Sequence, residues 1–345
     1  MKKLLRKLPR RKSQESAEQT RERITNETVA EHRERILAGG RKFKYPVQVA
    51  KHRLVITSVA IGIIAVALLT LLTWQQLYIA QNTSNFMYRI TQLIPLQVAS
   101  VDGYGVRYSD YLKKYRSSVH YLQQQNSINL SSEDGHRQAE FIKRREITNA
   151  EKNAYAMKLA GQKNIKVSGK EVNDFIQRDL TAKRVSQEAY ERTVLKSFYD
   201  WTLDDYKDIV HTELLKRKVS FAVDTAAKSQ ADALHTQLAS GADFATVAKA
   251  SSDDVATKAN GGDVGILPID NQDPNGLIAA AKSLQPNQLS GVITGADGYY
   301  IIKLIEKTDT TIRYAQIKIS LHAFDTQFTN LQKTNKIHEY IKLEQ

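Results

Sequence analysis

The chain has 345 residues, 41% of them hydrophobic, and a formal net charge of +13, which is room for about two ordinary domains beside shorter segments. It has no cysteine, which excludes disulfides, thiolate nucleophiles and cysteine-bound metal centres. The charge does not point to nucleic acid, because residues 1–53 hold 16 Lys or Arg against 6 Glu, a net of +10, and leave the rest of the chain nearly balanced.

Residues 1–53 read as a polar, basic, cytoplasmic tail, with a short helix over 30–37 stopped by Gly39 and Gly40. No residue from Leu54 to Tyr88 carries a formal charge. Residues 54–74 are the expected transmembrane helix. Twenty helical residues cover about 30 Å, the thickness of the hydrocarbon layer. Trp74 and Tyr78 follow, where amphipathic rings favour the headgroup zone. Lys51, His52 and Arg53 precede the run and place its N-terminal side in the cytoplasm by the positive-inside rule. A leader destined for cleavage would have a shorter head and a shorter apolar run. Everything after the span is then expected outside the cytoplasm, anchored by a single pass.

Residues 75–96 read as a continuation of the anchor helix followed by a spacer. In 97–217 a short strand and a tight Asp102-Gly103 turn come first. Helices follow. Tyr111, Leu112, Tyr115, Val119 and Leu122 step by three or four along one face. A second helix is expected over 140–159. Ser168 with Glu171, and Thr202 with Asp205, have the spacing of capping boxes. Residues 219–223 read as a strand, and 229–238 and 244–249 as helices. Pro268, Pro274 and Pro286 mark a turn-rich region. Residues 288–294 and 299–306 read as strands joined by Gly295-Ala296-Asp297-Gly298. The order over 218–308 is that of a small α+β domain with a four-stranded sheet. In 309–345 the alternation over 313–320 predicts a strand, and an apolar stripe over 324–343 predicts a helix returning to the helical lobe. The rival is that residues 314–320 open a second, truncated copy of the small domain.

Five stretches in order, Gly241-Ala-Asp-Phe-Ala245, Ser252-Asp-Asp254, Asn260-Gly-Gly-Asp-Val-Gly265, Leu284-Gln-Pro-Asn-Gln-Leu-Ser290 and Gly298-Tyr-Tyr-Ile-Ile-Lys303, resemble the parvulin (PpiC-type) peptidyl-prolyl isomerases. Residues 97–216 resemble, less closely, the helical chaperone lobe of the SurA and PrsA foldases. The resemblance implies a membrane-anchored, extracytoplasmic foldase acting on unfolded or newly exported polypeptides that contain proline. It implies a groove that lowers the barrier to rotation about the prolyl bond, about 18–20 kcal/mol, without a covalent step. Carried over residue by residue, it puts Asp254 at the family's acidic position and Tyr300 at the position of the second histidine. The first histidine has no counterpart at Ser220, Phe221 or Ala222, the three candidates on the opening strand. The positions lining the proline ring fall at Asp273 and Leu277, with Phe221 added from that strand.

With both histidines absent, two readings stand: a weak or altered isomerase using Asp254 and Tyr300, or a module that binds extended chains without strong catalysis. Asp254 as a mere turn residue, and the whole chain as a non-catalytic cell-envelope scaffold, are the plainer alternatives. No cofactor or metal is expected, since His211, His235 and His322 are scattered and none has metal-ligand spacing. The glycines of 261–265 read as turn glycines, because no lysine and helix follow as a phosphate loop requires.

Overall fold

The structure, a computed structural model, describes residues 25–343 apart from residues 45, 127, 128 and 272. The first 24 residues of the expected tail lie outside the described residues. The chain divides into two units, Met1–Leu71 and Leu72–Gln345.

The first unit holds α1 (Asn26–Lys44) and most of α2 (Pro46–Trp74). α1 runs through Gly39 and Gly40 instead of stopping there; a glycine costs a helix about 1 kcal/mol, too little to end it alone. In α2 the hydroxyl of Thr57 donates to the carbonyls of Arg53 and Leu54 at 2.9 Å, and that of Thr70 to Val66 at 2.9 Å. These two hydroxyls are therefore satisfied within the helix, as an apolar solvent demands. Among the described residues, His52–Ile79 is the one helix long and apolar enough to cross a membrane.

A π-helical turn (Gln75–Ile79) continues α2, and the spacer beyond it is itself largely helical, forming α3 (Asn85–Leu93). β1 (Gln97–Val101) and β2 (Tyr104–Arg107) form a hairpin. Its turn puts Asp102 at φ 48° and Gly103 at φ 79°, the left-handed pair that an Asp-Gly turn supplies. Lys158 donates to the Asp102 carbonyl at 2.6 Å. Next come α4 (Tyr108–Asn126), α5 (Glu133–Lys163), α6 (Gly169–Lys183), α7 (Gln187–Tyr190), a π-helical turn (Glu191–Lys196), α8 (Ser197–Tyr199) and α9 (Leu203–Val223). Both capping boxes form at Ser168 and Thr202. Tyr108, Tyr111, Leu112, Ile147 and Val219 are fully buried at the centre of this lobe. The Tyr108 hydroxyl donates to the Leu77 carbonyl at 2.6 Å.

The expected strand over 219–223 does not form; α9 continues to Val223. Leu215, Val219 and Val223 recur every four residues and all pack into the lobe's core. That burial outweighs the β preference of the two valines. Asp224 then ends α9 and caps α10 (Thr225–Ala239), accepting from Ala227 N at 3.0 Å.

After α11 (Phe244–Ser251), α12 (Val255–Lys258), β3 (Asp263–Pro268), α13 (Leu277–Lys282) and β4 (Ile293–Thr294) come the long strands β5 (Gly298–Lys307) and β6 (Thr311–Ser320). The first strand of the expected pair is thus cut to two residues, with a lone bridge from Leu289 to Lys303 before it. The four-stranded sheet has the order β3-β6-β5-β4 and is antiparallel throughout. β6, expected as a separate C-terminal strand, lies inside this sheet, and a division at residue 308 would cut the β5–β6 hairpin. Strand alternation sorts the two faces. Tyr299, Ile301, Ala315, Ile317 and Ile319 face α10 and α11. Tyr300, Ile302, Leu304, Ile312 and Tyr314 face α13.

The chain closes with α14 (Ala323–Lys333) and β7 (Ile337–Glu339). Phe324 and Phe328 of α14 pack into the helical lobe's core beside Tyr155. The expected helix stops at Lys333, because residues 337–339 pair with β1 to complete the sheet β2-β1-β7. The result is a mostly helical α+β chain with two antiparallel sheets.

Glu151, on α5, is 1% exposed, and its Oε1 has no hydrogen-bond partner. Burial, and then the charge of Glu339, push its pKa up from 4.5 to about 8. The folded state therefore holds a proton that the unfolded chain has lost between those values. Stability falls as pH rises through this window, by at most about 1.4 kcal/mol per pH unit. Glu151→Gln is expected to flatten that slope and to raise the midpoint of thermal unfolding at pH 8 more than at pH 4.5, read by circular dichroism.

A glycine sets the contact between β3 and β6. Gly262 has φ +88°, and a Cβ there would lie 2.3 Å from the Gln316 carbonyl oxygen. Gly262→Ala is expected to cost on the order of 2–4 kcal/mol from strain and overpacking, measured by urea unfolding. A cost below about 0.5 kcal/mol, the range of neutral surface changes, would show that the contact relaxes freely.

Candidate functional site

Polar groups gather on the α13 face of the four-stranded sheet, at the edge of its apolar cluster. Ser252, fully buried, accepts through its hydroxyl from Asp254 N at 3.2 Å and Lys318 N at 3.1 Å. Asp253 N donates to the Lys318 carbonyl at 2.8 Å, and its carboxylate accepts from Ser320 N at 2.8 Å. The loop before α12 is thus laced to β6, which fixes Asp254. The Asp254 carboxylate accepts from Gln316 Nε2 at 2.6 Å and from the Thr257 hydroxyl, and caps α12 through Ala256 N. Burial works against its charge, but these bonds hold its carboxyl below the ordinary range.

Tyr300, on β5, is 3% exposed, and its hydroxyl donates to Asp297 Oδ1 at 2.6 Å. Lys318 Nζ meets Asp297 Oδ2 at 2.5 Å and stands 5.9 Å from the Tyr300 ring centroid. Burial opposes the Asp297 charge as well, yet Lys318 and Tyr300 keep its pKa low. The Tyr300 phenol is pushed well up by burial, then by Asp297, with Asp254 and Asp273 adding to the effect. Burial likewise pushes Tyr314 up to about 12, again with Asp273 and Asp254 contributing. Asp254, Asp273, Asp297, Tyr300 and Tyr314 therefore share one electrostatic neighbourhood.

Of the residues expected at the site, Asp254 and Tyr300 come together on this face. Leu277 joins them as part of the apolar cluster beneath, 3% exposed. Asp273 is spent on structure, accepting from Asn275 N at 2.9 Å and Ile278 N at 2.6 Å at the start of α13. Phe221 lies elsewhere. It sits on α9 and packs edge-on against Tyr299 at 5.2 Å, on the opposite face of the sheet from Tyr300. The reason is the one that removed the opening strand: α9 carries Phe221 past the sheet as a helical residue.

Gln316, Lys318 and Asp297 complete the cluster and were not among the expected residues. Gln316 and Lys318 share a strand face with Tyr314 by the period of two, which is visible in the sequence; that their strand joins this sheet is not. The cluster contains no histidine. His322 stands outside it, exposed, with Nε2 3.8 Å from Asp253.

The helical lobe has a cavity of about 340 Å³, lined among others by Tyr88, Lys113, Arg116, His120, Tyr199 and Trp201. Tyr199 and Trp201 stack at 4.7 Å, and Lys113 pairs with Asp205 and Asp208 at 3.2 and 3.1 Å. Aromatic walls with paired charges suit a mixed apolar and polar ligand. No described group of three or more His, Asp or Glu side chains is placed to hold a metal ion.

The chain is 27% identical over 151 residues to the foldase protein PrsA of Streptococcus sanguinis, covering 42% of this chain and 43% of that one. It is 34% identical over 121 residues to the chaperone SurA of Methylobacillus flagellatus, covering 32% and 27%. It thus spans less than half the length of these curated relatives. The crystal structure of the peptidylprolyl isomerase PrsA from Bacillus anthracis is 21% identical, covering 53% of this chain and 85% of that one, with a TM-score of 0.19. The family described as PPIC-type PPIASE domain matches residues 214–306 and stops short of β6. The family described as SurA-like N-terminal domain matches residues 48–220, half of the chain. The chain belongs to the SurA-like N-terminal domain family and carries a PPIC-type PPIASE domain joined to it.

Proposed function

We propose that this chain is a membrane-anchored, extracytoplasmic foldase that engages proline-containing segments of newly exported polypeptides. The apolar helix is the anchor, with the basic tail in the cytoplasm and the rest of the chain outside. The helical lobe over 97–217 cradles unfolded client chains, and its cavity offers them aromatic and charged side chains. The rotamase part, from about residue 218 through β6, takes the prolyl bond, and α14 returns to the lobe. Anchoring raises the local concentration of the foldase where clients emerge. No cofactor takes part.

The observation that carries this reading is the coupled pair of hydrogen-bonded chains, Gln316–Asp254–Thr257 and Lys318–Asp297–Tyr300, above the apolar cluster of Leu277 and Tyr314. Amide rotation needs no covalent partner. It needs an apolar seat for the ring and oriented dipoles that favour the twisted amide over the planar one. The second N–H of the Gln316 amide can supply such a dipole, while Tyr300, its one O–H spent on Asp297, holds that carboxylate in place. Neither side chain can exchange protons at neutral pH as a histidine does. The site is therefore a prolyl-peptide binder with slow turnover.

Three results test it with the full chain in detergent micelles. Isomerisation of a proline tetrapeptide is expected to be flat from about pH 5 to pH 9, because the carboxylates stay ionised and the phenols neutral there; a histidine-driven site would bend near its pKa of about 6.5. Tyr300→Phe is expected to lower kcat/KM on the order of tenfold, at or below the loss for one oriented donor. Proline peptides bound with no turnover would leave the binder and remove the enzyme; neither binding nor turnover would sink both.

A further inference from the structure

We propose that α3 lies in the headgroup layer of the bilayer, with the face that carries Phe86, Arg89 and Leu93 turned to the lipid. This rests on the reading that His52–Ile79 spans that bilayer. α3 is two-sided. Thr91 is fully buried, and Met87 and Tyr88 pack against the helical lobe's core. The other side is bare: Phe86 is 68% exposed and Leu93 85% exposed, seven residues apart and so nearly in line on a helix, with exposed Arg89 between them. Ile79 and Ile94 flank them at 61% and 50% exposed. Nothing in the described protein covers these five apolar and basic side chains.

The chain itself says what covers them. Only residues 80–84 separate the end of the apolar helix from the start of α3. Even fully extended, such a link reaches about 20 Å, and here it is held short. Asn82 N donates to the Gln76 carbonyl at 2.8 Å, and Asn82 Nδ2 to Gln76 Oε1 at 2.9 Å. Arg116 grips the Thr83 carbonyl at 2.6 Å while lying over the Tyr88 ring. α3 cannot leave the membrane surface. Arg89 is also the first charged residue after Arg53, so charge reappears where the headgroups begin. Gln81 Nε2 donates to the Lys342 carbonyl at 2.7 Å, which brings exposed Lys342 and half-exposed Tyr340 to the same edge. Apolar residues dipping in, with aromatic and basic groups beside them, make the pattern of an interfacial helix. A second contact of this kind fixes the lobe's orientation to the bilayer, where a single helix alone would leave it free to swing.

Because the chain has no cysteine, single cysteines report position cleanly. An environment-sensitive fluorophore is attached to F86C, L93C, I63C within the apolar helix, and V255C on the exposed start of α12. Each full chain is reconstituted in phosphatidylcholine–phosphatidylglycerol vesicles carrying spin-labelled lipid. F86C and L93C are expected to shift to the blue and lose most of their emission to the lipid quencher, as I63C does, while V255C keeps its emission. Quenching at I63C with F86C and L93C behaving like V255C overturns the proposal and leaves the anchor standing. No quenching at I63C overturns the anchor, and the proposal with it.

Discussion

A single buried carboxylate joins the parts of the second unit, Leu72–Gln345. Asp224, 4% exposed, ends α9, caps α10 at Ala227 N, and accepts from His322 N at 2.6 Å and Ala323 N at 2.9 Å at the start of α14. Burial alone would favour its neutral form, but three backbone donors keep its pKa below the ordinary value. The carboxylate is therefore charged at neutral pH. Hydrogen bonds to a charged acceptor are worth roughly 1.5–3 kcal/mol each. Their effect here is positional. The lobe helix, the first helix of the sheet domain and the returning helix all meet at one side chain.

That meeting point explains why the chain can leave the lobe at Val223 and re-enter it at Ala323. The hundred residues between form the sheet and its covering helices, and α14 then buries Phe324 and Phe328 against Tyr155. β7 completes the sheet begun by β1, with Ala99 opposite Glu339. The lobe is closed by its own distant end, so its core is complete only when contacts across the whole sheet domain have formed. Contacts of such long sequence separation are slow to form, since loop-closure entropy is lost before they stabilise anything.

Local signals were legible in the sequence where local physics decides. The capping boxes at Ser168 and Thr202, the Asp102-Gly103 turn and the turn glycines at 261, 262 and 265 are each set by the residues themselves. The glycines differ in use, however. Gly265 needs only its positive φ, whereas Gly262 is also pressed against β6, and no local rule announces that. Residues 219–223 misled because valine and phenylalanine favour strands in isolation. Their fate was decided by a lobe core that the sequence does not show as a partner. Phe221 failed as a site residue for the same reason.

The site was legible in part for a related cause. Asp254 and Tyr300 sit in stretches whose pattern survives, and both reach the same sheet face. What could not be read is the partner of each. Asp254 is held by Gln316, sixty-two residues on, and Tyr300 is tied through Asp297 to Lys318, both bonds reaching to β6. β6 lies between β3 and β5, so its even-numbered side chains from Ile312 to Lys318 run beneath α13 and out into the polar cluster. One strand thus supplies apolar side chains and polar donors along a single face. A change in its register by one residue would exchange Gln316 and Lys318 for Ala315 and Ile317 and bury isoleucine where the carboxylates stand. The bonds from Lys318 N to Ser252 and from Ser320 N to Asp253, together with the Gly262 contact, oppose that slip. The polar cluster on this face therefore exists only in the register that aligns β6 beneath Asp254 and Asp297.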